Sequence, residues 1–255
     1  MSHSQRGGNS FAAGPPQGET RPLGGQRSTR SGKRGGNITF FDLDHTLLSG
    51  DSDVLWCDFL IAQGLLDAAD FDAQNADMDA RYRAGTVGLD EFANFYVGTL
   101  AGRSPQDWQP LRQRFLQDVI VPRIPPSALA LVQQHQAAGD LVVMTTATNR
   151  FITELTAEYI GIAHLIATEP LVANGIFTGG TTGTLNMREG KVTRLNAWLQ
   201  AREQTLDQFD SSAYSDSIND LPLLSAVQRP VAVDPDARLR AHSLRHGWQI
   251  LELVR

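Results

Sequence analysis

The chain has 255 residues, 41% of them hydrophobic, which suits one large globular domain or one domain with a smaller companion, and its apolar runs, such as 141–144, fall far short of the roughly 18 residues that span a membrane. The net charge of −6 is uneven: residues 1–36 hold six basic residues and one acid, leaving 16 basic against 27 acidic residues in the rest, a body unsuited to nucleic acid, whose phosphates are bound through Lys and Arg. The single cysteine, Cys57, excludes an internal disulfide and points to a reducing, cytoplasmic setting.

Residues 1–36 carry nine of the 23 glycines among Ser, Gln, Pro and Arg. With so few large apolar side chains they cannot offset their ordering entropy, and they read as a disordered basic tail. They also lack the apolar centre of a secretory signal peptide. Order is expected to begin at Asn37, where Ile38-Thr39-Phe40-Phe41 reads as a buried strand running into Asp42-Leu43-Asp44. Helical patterns follow at 54–64, 72–83, 89–100 and 107–119, and Pro125-Pro126 breaks the chain before another at 127–138. A strand at 141–144 leads to Thr145-Thr146-Ala147-Thr148, then a helix at 150–160 stopped by Gly161. A third strand is expected at 164–167, and Asn174-Gly175 between apolar stretches signals a hairpin. The remaining expectations are a helix at 191–202 and strands at 212–215, 230–233 and 248–253. Alternating strands and helices predict a doubly wound parallel α/β sheet, with ligands beyond the carboxyl ends of its strands. The helical stretch 53–135 is too long for a loop and reads as a cap over that face. The core is then 37–52 together with 136–255.

Three polar clusters each follow an expected strand. In Asp42-Leu43-Asp44 alternate side chains point the same way, so both carboxylates can share a pocket. Thr145-Thr146-Ala147-Thr148 offers hydroxyls and free N–H groups before a helix. Ser215-Asp216-Ser217-Ile218-Asn219-Asp220 brings two further acids. Each alone is equally a solvated turn or a helix cap, and Lys191 alone reads as a solvated charge. Together they are specific, because four converging carboxylates repel unless a cation sits among them, and hard oxygen ligands favour Mg²⁺. Lys191 and a hydroxyl then supply the complementary half, a place for phosphate oxygens.

These residues resemble the haloacid-dehalogenase-like superfamily of phosphohydrolases over 37–235. Its D-x-D-x-T motif is matched by Asp42-Leu43-Asp44-His45-Thr46. Its strand-terminal Ser or Thr is matched by Thr146, with Thr145 the rival one position away. Its helix-borne lysine is matched by Lys191, and its D-x-x-x-D by Asp216 to Asp220. The helical cap is of the C1 type, and Gly50-Asp51-Ser52-Asp53, Tyr82-Arg83-Ala84-Gly85 and Asn174-Gly175-Ile176-Phe177-Thr178-Gly179 look closest to the phosphoserine-phosphatase-like branch, subfamily IB.

The resemblance implies a Mg²⁺-dependent phosphomonoesterase. Asp42 is its nucleophile and forms an aspartyl-phosphate; Asp44 is its general acid and base. Thr146 and Lys191 hold the phosphate. Asp42, Asp44 (through its carbonyl) and Asp216 hold the metal, and Asp220 supports Lys191 or a metal-bound water. An acid at Asp44 suits an alkoxide leaving group, which needs a proton where a halide does not. A phosphotransferase uses the same intermediate and is the alternative. The partner is a small phosphorylated metabolite, with neither nucleic acid nor membrane involved. For the leaving group the resemblance offers Asp51 or Asp53 as an ammonium site. No cap arginine stands where phosphoserine's carboxylate is clasped, although Arg83 lies about a turn or more earlier. Phosphoserine and histidinol phosphate are therefore both open. The cap aromatics Trp56, Phe59, Phe92, Phe95 and Tyr96 are expected mainly as cap core.

Overall fold

The computed structural model describes residues 35–83 and 88–254; of Asp79, Tyr82 and Arg83 only the backbone is described. The expected tail thus lies almost wholly outside the described residues. Its last two residues are an exception and join the core, since Asp210 N donates to Gly36 O at 3.1 Å and Gly35 N to Gln208 O.

Chain order is β1 (Asn37–Phe41), α1 (Ser52–Ala62), α2 (Ala68–Arg83), α3 (Leu89–Val97), α4 (Pro105–Phe115), α5 (Pro126–Ala137), β2 (Leu141–Asn149), α6 (Arg150–Ile160), β3 (His164–Ala173), β4 (Ile176–Thr182), α7 (Glu189–Gln200), β5 (Asp210–Ser215), α8 (Leu221–Ala226), β6 (Arg229–Val233), α9 (Ala237–His246) and β7 (Gln249–Leu251). The sheet order is β4-β3-β2-β1-β5-β6-β7, with every pair parallel except β3 and β4. β1 is central, and the chain first winds to one side of it and then to the other. The crevice beyond its carboxyl end is where such a sheet binds ligands.

Strand residues alternate between faces, and two separate apolar clusters result. Phe41, Val142 and Met144 pack with α1, α4, α5 and α6 on one face. Ile38, Phe40 and Val143 pack with Leu195 and Leu199 of α7, Leu223 and Leu224 of α8, and Leu239 of α9 on the other. Each of these fully buried side chains contributes about 1.5–3 kcal/mol of transfer free energy.

The long insert is not a loose lid. Trp56, Phe59, Trp108 and Phe115 form a ring cluster, with Trp56 and Phe115 centroids 5.1 Å apart, and this cluster is continuous with the Phe41 and Met144 side of the core. Beyond α4 the helix widens into one π-helical turn at Leu116–Ile120 before ending. The residue-135 boundary expected for the cap falls inside α5. His135 on that helix bonds Asp140 at 2.6 Å and the Tyr214 hydroxyl of β5 at 2.9 Å. We propose that α5 belongs with the sheet and that the cap ends before it.

The Asn-Gly hairpin forms as expected, with Asn174 at φ 52° and Gly175 at φ 78°, the left-handed pair that matches the twist of a two-residue turn. It makes β3 far longer than the four residues expected, and its antiparallel arm β4 holds the insert: Thr181 N donates to Asn94 Oδ1 of α3 at 3.1 Å, and Gly102 N donates to Phe177 O at 3.0 Å. α3 is thereby fixed over the strand ends.

Candidate active site

β1 stops at Phe41, and Asp42 N adds one further rung to the neighbouring strand by donating to Tyr214 O at 3.0 Å. Asp42 therefore leaves the sheet at its carboxyl edge. The next residues turn back at once, with Leu47 N and Leu48 N both donating to Leu43 O. His45 sits in that turn at φ 56°, a left-handed conformation costly for a non-glycine residue and found mostly where function or tertiary structure demands it.

The buried centre is a charge relay of three residues. Lys191 Nζ lies 2.6 Å from Asp42 Oδ1 and 2.6 Å from Asp220 Oδ2, and Ser215 Oγ donates to the same Asp220 oxygen at 2.8 Å. Lys191 is only 2% exposed, so the reading of a solvated surface lysine is wrong. Burial by itself lowers an ammonium's pKa, but Asp220 and Asp42 outweigh it and hold Lys191 above the ordinary lysine range. Position 190 must be glycine for this lysine to arrive here, because a Cβ there would overlap the Leu185 carbonyl oxygen.

Asp216 joins Asp42 through one hydroxyl. Thr46 Oγ1 is 3.2 Å from Asp42 Oδ2 and 3.3 Å from Asp216 Oδ1, and it accepts from Asp216 N at 3.0 Å. It has one proton for two carboxylates. Burial, and then Asp220, push Asp216 up to about 7. Asp42 is also raised, by burial first, with Lys191 opposing and Asp220, Asp216 and Asp44 adding to it. Two carboxylates held this close, raised by desolvation and mutual repulsion, fit a hard divalent cation. Among the described residues no three His, Cys, Asp or Glu side chains form a metal cluster by themselves. The donors that converge are the two carboxylates of Asp42 and Asp216, joined by the Thr46 hydroxyl.

Asp44 accordingly directs its carboxylate elsewhere. It accepts from Ser52 N at 2.7 Å, Thr148 Oγ1 at 2.9 Å and Thr146 Oγ1 at 3.3 Å. Burial, then the charge of Asp51, push it up to about 6 against the pull of those donors. At pH 7 about a tenth of such groups carry a proton, far more than for an ordinary carboxyl near 3.8.

Of the two rival threonines, Thr146 turns towards Asp44, whereas Thr145 accepts from Asn186 Nδ2 at 3.0 Å on the other side. A register shift in the pairing of β2 and β3 between Thr146 and Asn149 brings Thr148 to Asp44 as well. Thr148, read in the sequence only as part of a hydroxyl cluster, and Asn186, not singled out, are site residues to which sequence reasoning gave no role. Asn186 is fully buried, and its Nδ2 reaches Thr145 Oγ1, Thr146 O and Ile166 O within 3.0 Å. It ties the segment leading to Lys191 onto the strand that carries Thr146. Arg188, at φ 50°, was also missed and lines the same cavity.

That cavity has a volume of about 470 Å³ and is lined by Asp42, Asp44, Lys191, Asp216 and Asp220 among others. Asp51 and Asp53 line it too. Asp51 caps α1, accepting at Oδ1 from Asp53 N at 2.9 Å and Val54 N at 3.0 Å. Of the five insert aromatics singled out in the sequence, Phe92 and Tyr96 line the cavity; Trp56 and Phe59 are core, and Phe95 stacks on Phe71. The side chain of Arg83 lies outside the described residues.

The family model for haloacid dehalogenase-like hydrolases matches residues 39–225. A histidinol-phosphatase of Neisseria meningitidis serogroup C is 41% identical over 217 residues, covering 84% of this chain and 98% of that protein. The phosphoserine phosphatase SerB1 of Mycobacterium tuberculosis is 31% identical, covering 83% of this chain and 69% of that protein. A protein of unknown function from Bordetella pertussis superposes with a TM-score of 0.81 at 43% identity, covering 84% of this chain and 97% of that one. A phosphoserine phosphatase holding a phospho-aspartyl intermediate analogue shares the fold at a TM-score of 0.61 and 15% identity, over 86% of this chain and 94% of that one. With the match spanning β1 through α8, every strand end that frames the cavity included, the chain belongs to the haloacid dehalogenase-like hydrolases.

Proposed function

We propose that this protein is a Mg²⁺-dependent phosphomonoesterase acting on a small phosphorylated metabolite. The observation that carries the reading is the setting of Asp42: a buried lysine 2.6 Å from one oxygen and, on the other, a hydroxyl shared with Asp216.

One carboxylate oxygen of Asp42 attacks phosphorus in line, a bond to the carboxylate forms as the bond to the ester oxygen breaks, and an aspartyl-phosphate results. Asp44 gives its proton to the departing alkoxide. It then takes a proton from the water that attacks the same phosphorus, releasing inorganic phosphate and restoring Asp42. Lys191 and Thr146 steady the phosphoryl oxygens, where charge gathers in the transition state. Asp220, with Ser215 behind it, keeps Lys191 aimed at Asp42. Asp42 and Asp216, with the Asp44 main-chain carbonyl, would hold Mg²⁺. When bound, the ion neutralises the repulsion between an anionic nucleophile and an anionic ester. Asp51 and Asp53 face the leaving group.

The relatives named for histidinol phosphate and phosphoserine make those two esters the first to try. A cytoplasmic setting accords with Cys57, a lone buried cysteine whose thiol burial pushes up and away from reactivity. The test is phosphate release from phosphorylated metabolites with and without Mg²⁺. Release that needs Mg²⁺ and no added acceptor alcohol is expected. Release only when an acceptor is present would make the protein a phosphotransferase.

A further inference from the structure

A second cavity is bounded by α6, α7 and the opening residues of β3, and it shares no lining residue with the cavity that holds Asp42. Its volume is about 340 Å³, the size of a small-ligand site. Among the described residues no acid lines it. Its charged wall is Arg150, the first residue of α6, and Arg194 of α7; its apolar wall is Leu165, Ile166, Ala197 and the Trp198 indole.

The two guanidiniums share one carboxylate. Arg150 Nε lies 3.0 Å from both oxygens of Glu169, Arg150 Nη2 lies 3.0 Å from Oε1, and Arg194 Nη2 reaches the same Oε1 at 2.9 Å. Each arginine also donates to one main-chain carbonyl, Arg150 to Leu165 O and Arg194 to Thr184 O. Donors are left over, because a guanidinium carries five N–H groups. Arg194 Nε is buried with no partner, and Arg150 Nη1 has none among the described residues. A buried donor left unpaired is destabilising by about 1–3 kcal/mol. One unanswered positive charge and spare N–H groups on two guanidiniums call for a monoanion with oxygen acceptors, and a carboxylate meets a guanidinium with two parallel bonds.

The indole wall is held in place. Arg202 lies over the Trp198 ring, 3.7 Å from its centroid, and His164 meets the ring edge to face with centroids 5.4 Å apart. A fixed ring beside aliphatic side chains suits a flat apolar body. A neighbouring cavity of about 490 Å³ shares Arg150, Leu165 and Trp198, but Glu154 and Glu158 line it against Arg202, so the excess positive charge belongs to the first.

We propose that this cavity is a second ligand site, taking a small monocarboxylate with a flat apolar ring, its carboxylate on Arg150 and Arg194 and its ring on Trp198. Arg194 stands one turn beyond Lys191 on α7, so such a ligand bears on the helix that carries the buried lysine.

Benzoate is the probe for the full-length protein. Benzamide (ring without charge), acetate (charge without ring) and sodium chloride are the comparisons at equal ionic strength. Calorimetry is expected to show one benzoate per chain with a Kd of about 1 mM, the scale for so few atoms. At ten times that concentration the melting temperature is expected to rise by about 3 °C. Benzamide and acetate are each expected to bind about tenfold more weakly or worse, for want of the charged bonds or of the buried ring. Arg194→Gln removes one charge and is expected to weaken benzoate about tenfold. Ala197→Leu fills the space and keeps both guanidiniums; since Ala197 is exposed, this variant is expected to melt as the wild type does and yet to lose benzoate binding. A benzoate shift no larger than that of sodium chloride, benzamide or acetate bound as tightly as benzoate, or benzoate binding that survives Ala197→Leu or Arg194→Gln unchanged overturns the proposal.

Discussion

The phosphate end and the leaving-group end of the cavity are built on opposite plans. At the first, charges come from three distant stretches of chain and largely answer one another: Lys191 lies between Asp42 and Asp220, and Asp216 shares the Thr46 hydroxyl with Asp42. At the second, Asp53 keeps a buried oxygen with no partner, and one proton on Thr148 serves two acids. The sheet preorganises the reaction, whereas the insert leaves a demand for the substrate to satisfy. Preorganised polar groups cost nothing to arrange at the moment of reaction. Unsatisfied ones turn binding into selection.

The contrast breaks most severely at Lys191. Lys191→Met leaves Asp42 and Asp220 buried without their cation, so a loss of about 3–5 kcal/mol in unfolding free energy is expected together with a roughly thousandfold loss in kcat/KM. Lowering the pH should restore part of the stability, since Asp42, whose value burial already raises, then carries a proton; thermal melts across pH measure both. A melt that does not move would show that the buried relay is not formed.

Asp44 lies where the two ends meet. Asp44→Asn is expected to slow an alkyl ester by about 10²–10⁴-fold and p-nitrophenyl phosphate far less, because only the alkoxide needs a proton to leave. Parallel kcat measurements on the two esters sharpen the comparison, and equal losses remove Asp44 from the acid's role.

The smallest expected effect concerns the cation. Asp44 near 6 and Asp216 near 7 titrate above the ordinary carboxylate value of 3.8. The folded metal-free chain thus holds more protons than the unfolded chain between about pH 4 and 7, and its stability falls as pH rises through that window. Mg²⁺ favours the ionised forms, so its stabilising effect should grow with pH over the same range. A few degrees of melting temperature are expected at pH 7 and almost none at pH 4. An increment independent of pH would place the ion away from these acids.

The reaction end was legible in the sequence because its residues sit in short fixed relation to strand ends: Asp42 and Asp44 directly after β1, Asp216 directly after β5, Lys191 behind an obligatory glycine. Residues that act only through tertiary proximity were not legible. Asn186 bonds two strands from a segment with no periodic pattern, and Thr148 reaches Asp44 only because the pairing of β2 slips by a bulge. The insert aromatics share one helical spacing, so the pattern cannot tell Phe92 and Tyr96, which line the cavity, from Phe95, which stacks on Phe71. α8 and α9 were passed over for a related reason. The first is six residues long, and the second buries only Leu239 and Ser243 along a polar helix.

The central claim is that Asp42 itself receives the phosphoryl group. Rapid acid quench of the enzyme with Mg²⁺ and an ester labelled in its phosphoryl group, followed by peptide mapping, tests it directly. The account predicts transient, hydroxylamine-labile label on the peptide containing Asp42, absent from Asp42→Asn, whose melting temperature stays close to that of the wild type. Turnover with no protein-bound label at any time, or label retained by Asp42→Asn, would contradict it.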